Sequence, residues 1–266
     1  MLIYRLETKR KPLSSTLVML VLSTIPSGLL PDGKTFASGS DDQTIRIWDL
    51  STGDCLKKLE AHTEETPNAE HHPFCVSPIH NLLISGTKST IKIWEIETYT
   101  LLQTITGYMF PLYNLMLSRD ESLLIAGAYK QIKIWDLLTG ECRFTIEGHL
   151  SDVYSLAISL DNQKLVSGSD DKTIKIWDLK TGELIRTLVG HAECVYALGI
   201  TPDNQYVVSG TLGYHKKEII IWDLESGARL YTLTPRNGVY KIRPTNSGRI
   251  YFLEQICLEV LDFSSK

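Results

Sequence analysis

The chain has 266 residues, 43% of them apolar, with 27 Lys and Arg against 31 Asp and Glu and a formal net charge of −4. That is enough apolar material for one large core or two small ones, and the mildly acidic balance argues against a protein built mainly to grip phosphate backbones. The cysteines, Cys55, Cys75, Cys142, Cys194 and Cys257, are odd in number and form no C-x-x-C pair, so neither a disulfide framework nor a zinc site is expected, and a reducing, cytoplasmic compartment fits best.

In chain order, Leu2-Ile3-Tyr4-Arg5-Leu6 reads as a short strand, and Lys9-Arg10-Lys11 as a solvated turn too small to imply nucleic-acid binding. The apolar run 13–30 superficially resembles an export signal. It is too short to span a bilayer as a regular helix, contains Pro26, Ser27 and Gly28, and leads directly into Pro31-Asp32-Gly33, which opens a segment found again downstream. Leu17 to Ser23 is therefore read as a buried strand, with no targeting or membrane role assigned.

From there the chain repeats itself. Trp48, Trp94, Trp135, Trp177 and Trp222 are spaced by 46, 41, 42 and 45 residues, and each precedes an acid: Asp49, Glu95, Asp136, Asp178 or Asp223. Each ends a β-favouring segment such as Thr44-Ile45-Arg46-Ile47 or Thr173-Ile174-Lys175-Ile176, four of which alternate polar with apolar as a two-faced strand does. A turn follows, Leu-x-Thr/Ser-Gly, at 50–53, 137–140, 179–182 and 224–227, where glycine supplies the positive φ of a hairpin bulge. Repeat two has Tyr99 at that position, which predicts a longer or strained turn. The next strand is short and alternating, as in Leu184-Ile185-Arg186-Thr187-Leu188, and upstream lies a strand ending in Ser-Gly-Ser or a variant, as at Ser167 to Ser169. Four short strands in about 42 residues, repeated with turn signals between them, describe one propeller blade per repeat.

The residues that now stand together resemble a known family. Gly148-His149, placed 28 residues before Trp177-Asp178 with Ser167 and Asp171 between, is similar to the WD40 signature, and the resemblance covers nearly the whole chain. The wording of the repeats is most similar to bacterial-type WD40 arrays. The tail adds a sixth repeat: Val239-Tyr240-Lys241-Ile242 matches the opening strand, and Leu261-Asp262-Phe263-Ser264-Ser265 echoes the tryptophan segment. The resemblance implies an all-β propeller of four-stranded antiparallel blades, six in number, closed by the N-terminal strand completing the last blade; a seven-bladed or incomplete ring is the alternative. The expected organisation is a single domain over 1–266, with blades at 13–60, 62–106, 108–147, 149–189, 191–234 and 237–266, and with 1–7 as the closing outer strand of the last.

In this family a Trp, a Ser, a His and an Asp form a hydrogen-bonded network within a blade, which the resemblance places here on His149, Ser167, Asp171 and Trp177. Indole N–H only donates, carboxylate only accepts, and serine and neutral histidine do both, so the four satisfy one another. A Ser-His-Asp set also invites a hydrolase reading, but the serine sits on a strand of a repeated module with no strained elbow or oxyanion donors, so the role is structural. Other repeats depart from the pattern. Repeat one has Ser38, Asp42 and Trp48 without the histidine; repeat two has His62, Ser85 and Trp94, with Lys88 in the aspartate position; repeat three has Tyr108 and Ala126 in the histidine and serine positions; repeat five has His191, Ser209 and Trp222, a three-residue insertion and no aspartate. Blades two and three are accordingly expected to be less stable locally.

Function then falls to loops and the channel rim. Tyr113, Tyr154, Tyr196 and Tyr240 share one position, one residue into each opening strand, at spacings of 41, 42 and 44. The resemblance places that strand along the central channel, where the rings would form an arc of interface anchors; packing between blades is the competing reading. Two insertions break the repeat: 64–73, which carries His71 and His72, and 212–217, which carries Tyr214 and His215. His72 and Tyr214 join the tyrosines as partner-binding candidates, whereas adjacent histidines in a loop rarely converge on a metal, so no metal or cofactor is expected. The expected function is a non-catalytic protein–protein interaction scaffold, a monomeric propeller that docks a protein or peptide within a complex. A regulatory or sensor subunit of a separate signalling effector, and an enzyme with a central-channel site, are the alternatives; the latter needs convergent carboxylates or histidines where the repeats place tyrosines.

Overall fold

A computed structural model describes residues 2–5, 27–39, 42, 44–61, 73–87, 90–106, 111–213, 216–246, 249–254 and 258–262. All regular structure among them is β-strand. In chain order, β1 (Leu2–Arg5) precedes β2 (Ser27–Leu29), β3 (Thr35–Gly39), β4 (Thr44–Asp49) and β5 (Cys55–Glu60). The second repeat forms β6 (Phe74–Ser77), β7 (Leu82–Gly86), β8 (Ile91–Glu95) and β9 (Leu101–Ile105). Next come β10 (Asn114–Leu117), β11 (Leu123–Gly127), β12 (Tyr129–Asp136) and β13 (Cys142–Ile158), then β14 (Lys164–Ser169), β15 (Thr173–Asp178) and β16 (Leu184–Val189). The chain ends with β17 (Val195–Ile200), β18 (Tyr206–Thr211), β19 (Ile219–Asp223) and β20 (Arg229–Leu233), followed by β21 (Val239–Pro244), β22 (Arg249–Glu254) and β23 (Leu258–Asp262). The expected strand at Leu17 to Ser23 lies outside the described residues.

The chain divides into two compact units, one of residues 15–129 and 133–144, the other of residues 1–14, 130–132 and 145–266. In the first, β2-β3-β4-β5 and β6-β7-β8-β9 are four-stranded antiparallel meanders. In the second, β17-β18-β19-β20 is another, and β21-β22-β23 is completed by β1, which runs antiparallel to β23 with Leu2 opposite Asp262 and Arg5 opposite Glu259. β13 is a single 17-residue strand whose first part ends the third repeat and whose second part opens the fourth; the second part pairs with β14, β14 with β15 and β15 with β16, all antiparallel, and in the first unit β10 pairs antiparallel with β11.

The repeated residues explain the repeated geometry. The carboxylate after each tryptophan folds the following turn: Asp178 accepts from the Lys180 and Thr181 amides at 2.9 and 2.8 Å, and Asp49 accepts from Ser51 and Thr52 at 2.7 and 2.9 Å. These amide bonds hold the Asp178 carboxyl below its usual range. Gly53, Gly140, Gly182 and Gly227 close the turns at φ between 71° and 77°, as the pattern predicts. Tyr99 stands at φ 57° and bonds its N–H to the Glu95 carbonyl at 2.9 Å, the same bond that Gly182 makes to Asp178 at 2.8 Å. The second turn is therefore no longer than the others; it is strained, holding a bulky residue in the left-handed region while the ring packs on the core around Trp94.

The glycine of Ser-Gly-Ser has a different duty. A Cβ on Gly168 would sit 2.6 Å from both the Val195 side chain and Ser155 Oγ, one on Gly210 would sit 2.8 Å from Val239, and one on Gly86 would sit 3.0 Å from Leu112. In each case the middle strand of one repeat meets the residue that opens the next, so adjacent repeats pack backbone to side chain. The cores follow that joint: Val166, Ile174 and Ile176 pack with Val195, Leu198 and Val207 in one cluster, and Ile84, Ile91 and Ile93 pack with Leu112, Leu115 and Leu124 in another. We expect Gly168→Ala, which needs no unusual φ, to cost about 1–3 kcal/mol through overpacking against Val195. Urea melts of the two proteins measure the difference.

Candidate functional site

The complete motif set converges. Trp177 Nε1–H donates to Ser167 Oγ at 2.8 Å, Ser167 Oγ lies 2.7 Å from His149 Nε2, and His149 Nδ1 lies 2.8 Å from Asp171 Oδ2. With the imidazole neutral and its proton on Nδ1, facing the carboxylate, every group is satisfied: indole donates to hydroxyl, hydroxyl to Nε2, and Nδ1–H to Asp171. The same Asp171 oxygen accepts from the Leu150 amide at 2.9 Å, and the other, Oδ1, accepts from the Thr173 hydroxyl at 2.6 Å. Burial depresses the His149 pKa against the opposing pull of Asp171. Burial also pushes the Asp171 carboxyl up, but Thr173, the Leu150 amide and His149 outweigh it and hold the carboxyl below its usual value.

Gly148 completes the set. Its φ is 151°, and a Cβ there would lie 2.9 Å from the edge of the Trp177 ring; Gly190 repeats this at φ 157° and 3.1 Å from Trp222. The Gly-His pair is thus one device, in which glycine admits the indole and histidine closes the relay. Ser167 and Trp177 are almost wholly buried, so the arrangement offers no path for a substrate to the serine.

Repeat five keeps the relay with a substitution that the motif hid. Trp222 Nε1–H donates to Ser209 Oγ at 2.8 Å, and Ser209 Oγ lies 2.7 Å from His191 Nε2. No aspartate was expected, and Glu218 takes its place. It is buried, its Oε2 stands 3.7 Å from His191 Nδ1, too far for a hydrogen bond, and it accepts from the Ala192 amide as Asp171 does from Leu150. His191 Nδ1 consequently has no hydrogen-bond partner, and burial drives the His191 pKa down to about 4. Lys216, at 2.8 Å from Oε1, offsets the burial of Glu218 and keeps its carboxyl below the ordinary value. The signal was present in the sequence: four repeats have Thr or Gln just before the strand isoleucine (Thr44, Thr90, Gln131, Thr173), and only repeat five has an acid.

Repeats one and two keep the serine. Trp48 donates to Ser38 at 2.8 Å and Trp94 to Ser85 at 3.3 Å, while Asp42, without a histidine in its repeat, binds Thr44 and pairs with Arg46 at 2.7 Å. Ala126, in the serine position of repeat three, is fully buried in the apolar core. His62, Lys88 and Tyr108 lie outside the described residues.

Three of the four aligned tyrosines come together. Tyr154 and Tyr196 have ring centroids 5.3 Å apart, and Tyr196 meets Tyr240 edge-on at 6.0 Å. The register explains how residues on three different strands do this. Pairing runs Val153 to Ser169 and then Ser155 to Gly168; Val195 to Thr211 and then Ala197 to Gly210; Val239 to Glu254 and then Lys241 to Leu253. Each tyrosine is the extra residue of a β-bulge, the feature that re-aims a side chain out of the regular ladder. All three are half-buried. Tyr113, in the other unit, is also half-buried and donates its N–H to the Gly127 carbonyl at 2.9 Å, opposite Asn114. His72 and Tyr214 lie outside the described residues. A second surface, of exposed apolar residues, runs along β16 and β20: Leu184, Ile185 and Val189, and Leu230 and Tyr231. No helix among the described residues is long and apolar enough to cross a membrane.

The WD40 family model (WD domain, G-beta repeat) matches residues 25–49, 140–178 and 182–223. The small ribosomal subunit protein RACK1y of Oryza sativa subsp. japonica is 37% identical over 75 residues, covering 28% of this chain and 20% of that protein. The RACK1 protein of Brassica napus is 36% identical over 75 residues, 28% of this chain and 21% of its own. The nuclear distribution protein nudF of Aspergillus flavus is 31% identical over 99 residues, 33% of this chain and 21% of that protein. The match therefore spans about a fifth of the length of these relatives. They are eukaryotic proteins, so the resemblance to bacterial-type arrays is not supported; what the repeats share is the WD module itself. The WD model thus matches three segments of the chain, and the described sheets are antiparallel and mostly four-stranded, which is consistent with the blades of that family.

Two predictions follow from the relay. Ser167→Ala strands a buried indole N–H and a buried imidazole, and we expect a loss of about 2–4 kcal/mol by chemical denaturation. His191, whose pKa of about 4 in the fold is below the ordinary 6.5, binds fewer protons folded than unfolded, so its contribution is intact above pH 6.5 and is lost as pH falls toward about 4. Melting at pH 7.5 and pH 5 should show a smaller acid penalty in His191→Gln than in the wild type.

Proposed function

We propose that this chain is a six-bladed WD40 propeller, a single domain over 1–266, that works as a non-catalytic docking platform for a protein partner. The anchor is the tyrosine arc of Tyr154, Tyr196 and Tyr240, with Tyr113 as its equivalent in the other unit. The observation that carries this reading is the repeated bulge. Three repeats each insert one residue at the same place, and each inserts a tyrosine, which brings large amphipathic rings together half-exposed. A tyrosine that served only to fill space between strands would not need to leave the ladder three times over. Rings of this kind, with an apolar body and a polar tip, are the residues that dominate protein interfaces.

Two further features support it. The Ser-His pairs are occupied in holding indoles, which leaves them no catalytic task. The names of the relatives place one group on the small ribosomal subunit and the other in nuclear distribution, and a chain that shares their repeats is read here as a component of an assembly. Six blades follow from six repeats, with β13 shared between the third and fourth; pairing of β1 with β23 is read as the closure that ties the ends of the chain. Closure of that kind gives the last sheet its fourth strand and makes the N-terminus part of the last blade.

The experiment is a quantitative pull-down with the full chain and a Tyr154→Ala/Tyr196→Ala variant. We expect the proteins retained by the wild type to be lost by the variant while its thermal midpoint stays within a few degrees. Retention of the same proteins by a folded variant contradicts the reading. Removing residues 1–7 tests closure separately, and the expected result is a large drop in stability rather than the neutral effect of trimming a loose tail.

A further inference from the structure

From Ser226 to Leu253 the chain has five cations, Arg229, Arg236, Lys241, Arg243 and Arg249, and no carboxylate, although its overall charge is −4. Charge this one-sided has to be placed somewhere, and two of these residues lie on β21 directly after the bulged Tyr240. Lys241 and Arg243 are exposed and flank the buried Ile242, which puts them on one face of the strand, about 7 Å apart along it. Neighbouring cations are paired: Lys216 with Glu218 at 2.8 Å, and Arg229 within 4.0 Å of the same carboxylate. Lys241, Arg243 and Arg236 form no ion pair among the described residues. The buried Glu254 of this repeat is occupied by the Arg236 amide and the Asn237 side chain at 3.2 and 3.0 Å.

Crowding by surrounding protein lowers the Lys241 pKa, and the Arg243 charge adds to it. A partly desolvated ammonium beside a like charge gains from any anion that reaches it. The far end of the arc has the opposite sign, with Asp152 two residues before Tyr154 and Glu193 three before Tyr196. In sequence, the strand starts along the row of three rings thus change sign, with acids before Tyr154 and Tyr196 and cations after Tyr240.

We propose that Lys241 and Arg243, beside Tyr240, form a subsite that receives a carboxylate-bearing segment of the protein partner. This rests on the docking role of the tyrosine arc and adds the charge and orientation of what docks there. An acidic peptide fits better than a nucleic acid, because two adjacent cations make a point contact rather than a rail of phosphate-spaced charges, and the acidic end of the arc repels a polyanion. Charge-assisted bonds from the planar guanidinium fix the carboxylate, and the rings hold the apolar neighbours of the acidic residue.

The test is fluorescence anisotropy of the full chain with a labelled octapeptide of alternating glutamate and alanine, its glutamine counterpart, a labelled oligouridine RNA, and phosphatidylserine vesicles. The expected result is saturable binding of the glutamate peptide, about tenfold or weaker binding of the glutamine peptide, and a loss of about tenfold or more with Lys241→Ser/Arg243→Ser. Both substituted residues are exposed, so the variant should melt as the wild type does, and circular dichroism verifies that. Equal affinity for the two peptides, no binding of the glutamate peptide, or undiminished binding by the folded variant overturns the inference. So does tighter binding of RNA or vesicles that the same variant abolishes. If Tyr154→Ala/Tyr196→Ala loses the native partner while Lys241→Ser/Arg243→Ser keeps it, the arc reading stands and this inference falls.

Discussion

An indole N–H enclosed by a β-sheet has to find an acceptor, and here the acceptor is a serine hydroxyl on the neighbouring strand. Trp48, Trp94, Trp177 and Trp222 all make that bond, to Ser38, Ser85, Ser167 and Ser209. Much of the repeat can be traced from it. The tryptophan anchors the strand whose next residue, the carboxylate, folds the turn. The serine fixes the strand whose following glycine lets the next repeat approach. Where a histidine is available, as at His149 and His191, the same hydroxyl donates to its ring and ties in the segment that leads to the opening strand of the same repeat. A buried donor left unpaired costs about 1–3 kcal/mol, so each such bond is a condition of the repeat as much as a contribution to it.

Much of this was legible in the residues alone. The tryptophan spacing, the alternating strands and the turn glycines led to four strands per repeat and to positive φ at Gly53, Gly140, Gly182 and Gly227. These signals are local, set by chain periodicity and by the sterics of single residues. What could not be read depends on three dimensions. Tyr99 shows that a turn can keep its length and accept strain when the side chain gains packing, a balance that no spacing reveals. Glu218 shows that a longer side chain can stand for an aspartate from a different position in the chain. The fusion of repeats three and four through β13 reflects a connection regular enough to continue as strand. The tyrosine alignment was visible as a periodicity, but the bulges that turn the rings toward one another are a matter of register, which the one-letter code does not carry.

The buried relay and the proposed docking surface use two sets of residues that follow one another closely in sequence. Gly148 and His149 belong to the buried relay; Tyr154, five positions on, leaves the ladder. Gly190 and His191 stand in the same relation to Tyr196. The bulge is what separates the two duties, because it allows a strand held rigidly by its neighbours to present one side chain outside the regular alternation. Rings held this way are preorganised by the sheet, which is the property the proposed docking role needs. It also means that the Ser, His, Asp and Trp of the repeated motif lie apart from the tyrosines to which the docking role is proposed.

The most direct measurement is hydrogen exchange on the full chain, free and in complex with the partner that it captures. Docking on the tyrosine arc predicts new protection in the segments 150–155, 192–197 and 236–243, with the outer strands β16 and β20 unchanged. Protection confined to β16 and β20, where Leu184, Ile185, Leu230 and Tyr231 are exposed, would contradict the account and assign the partner to the perimeter of the sheets.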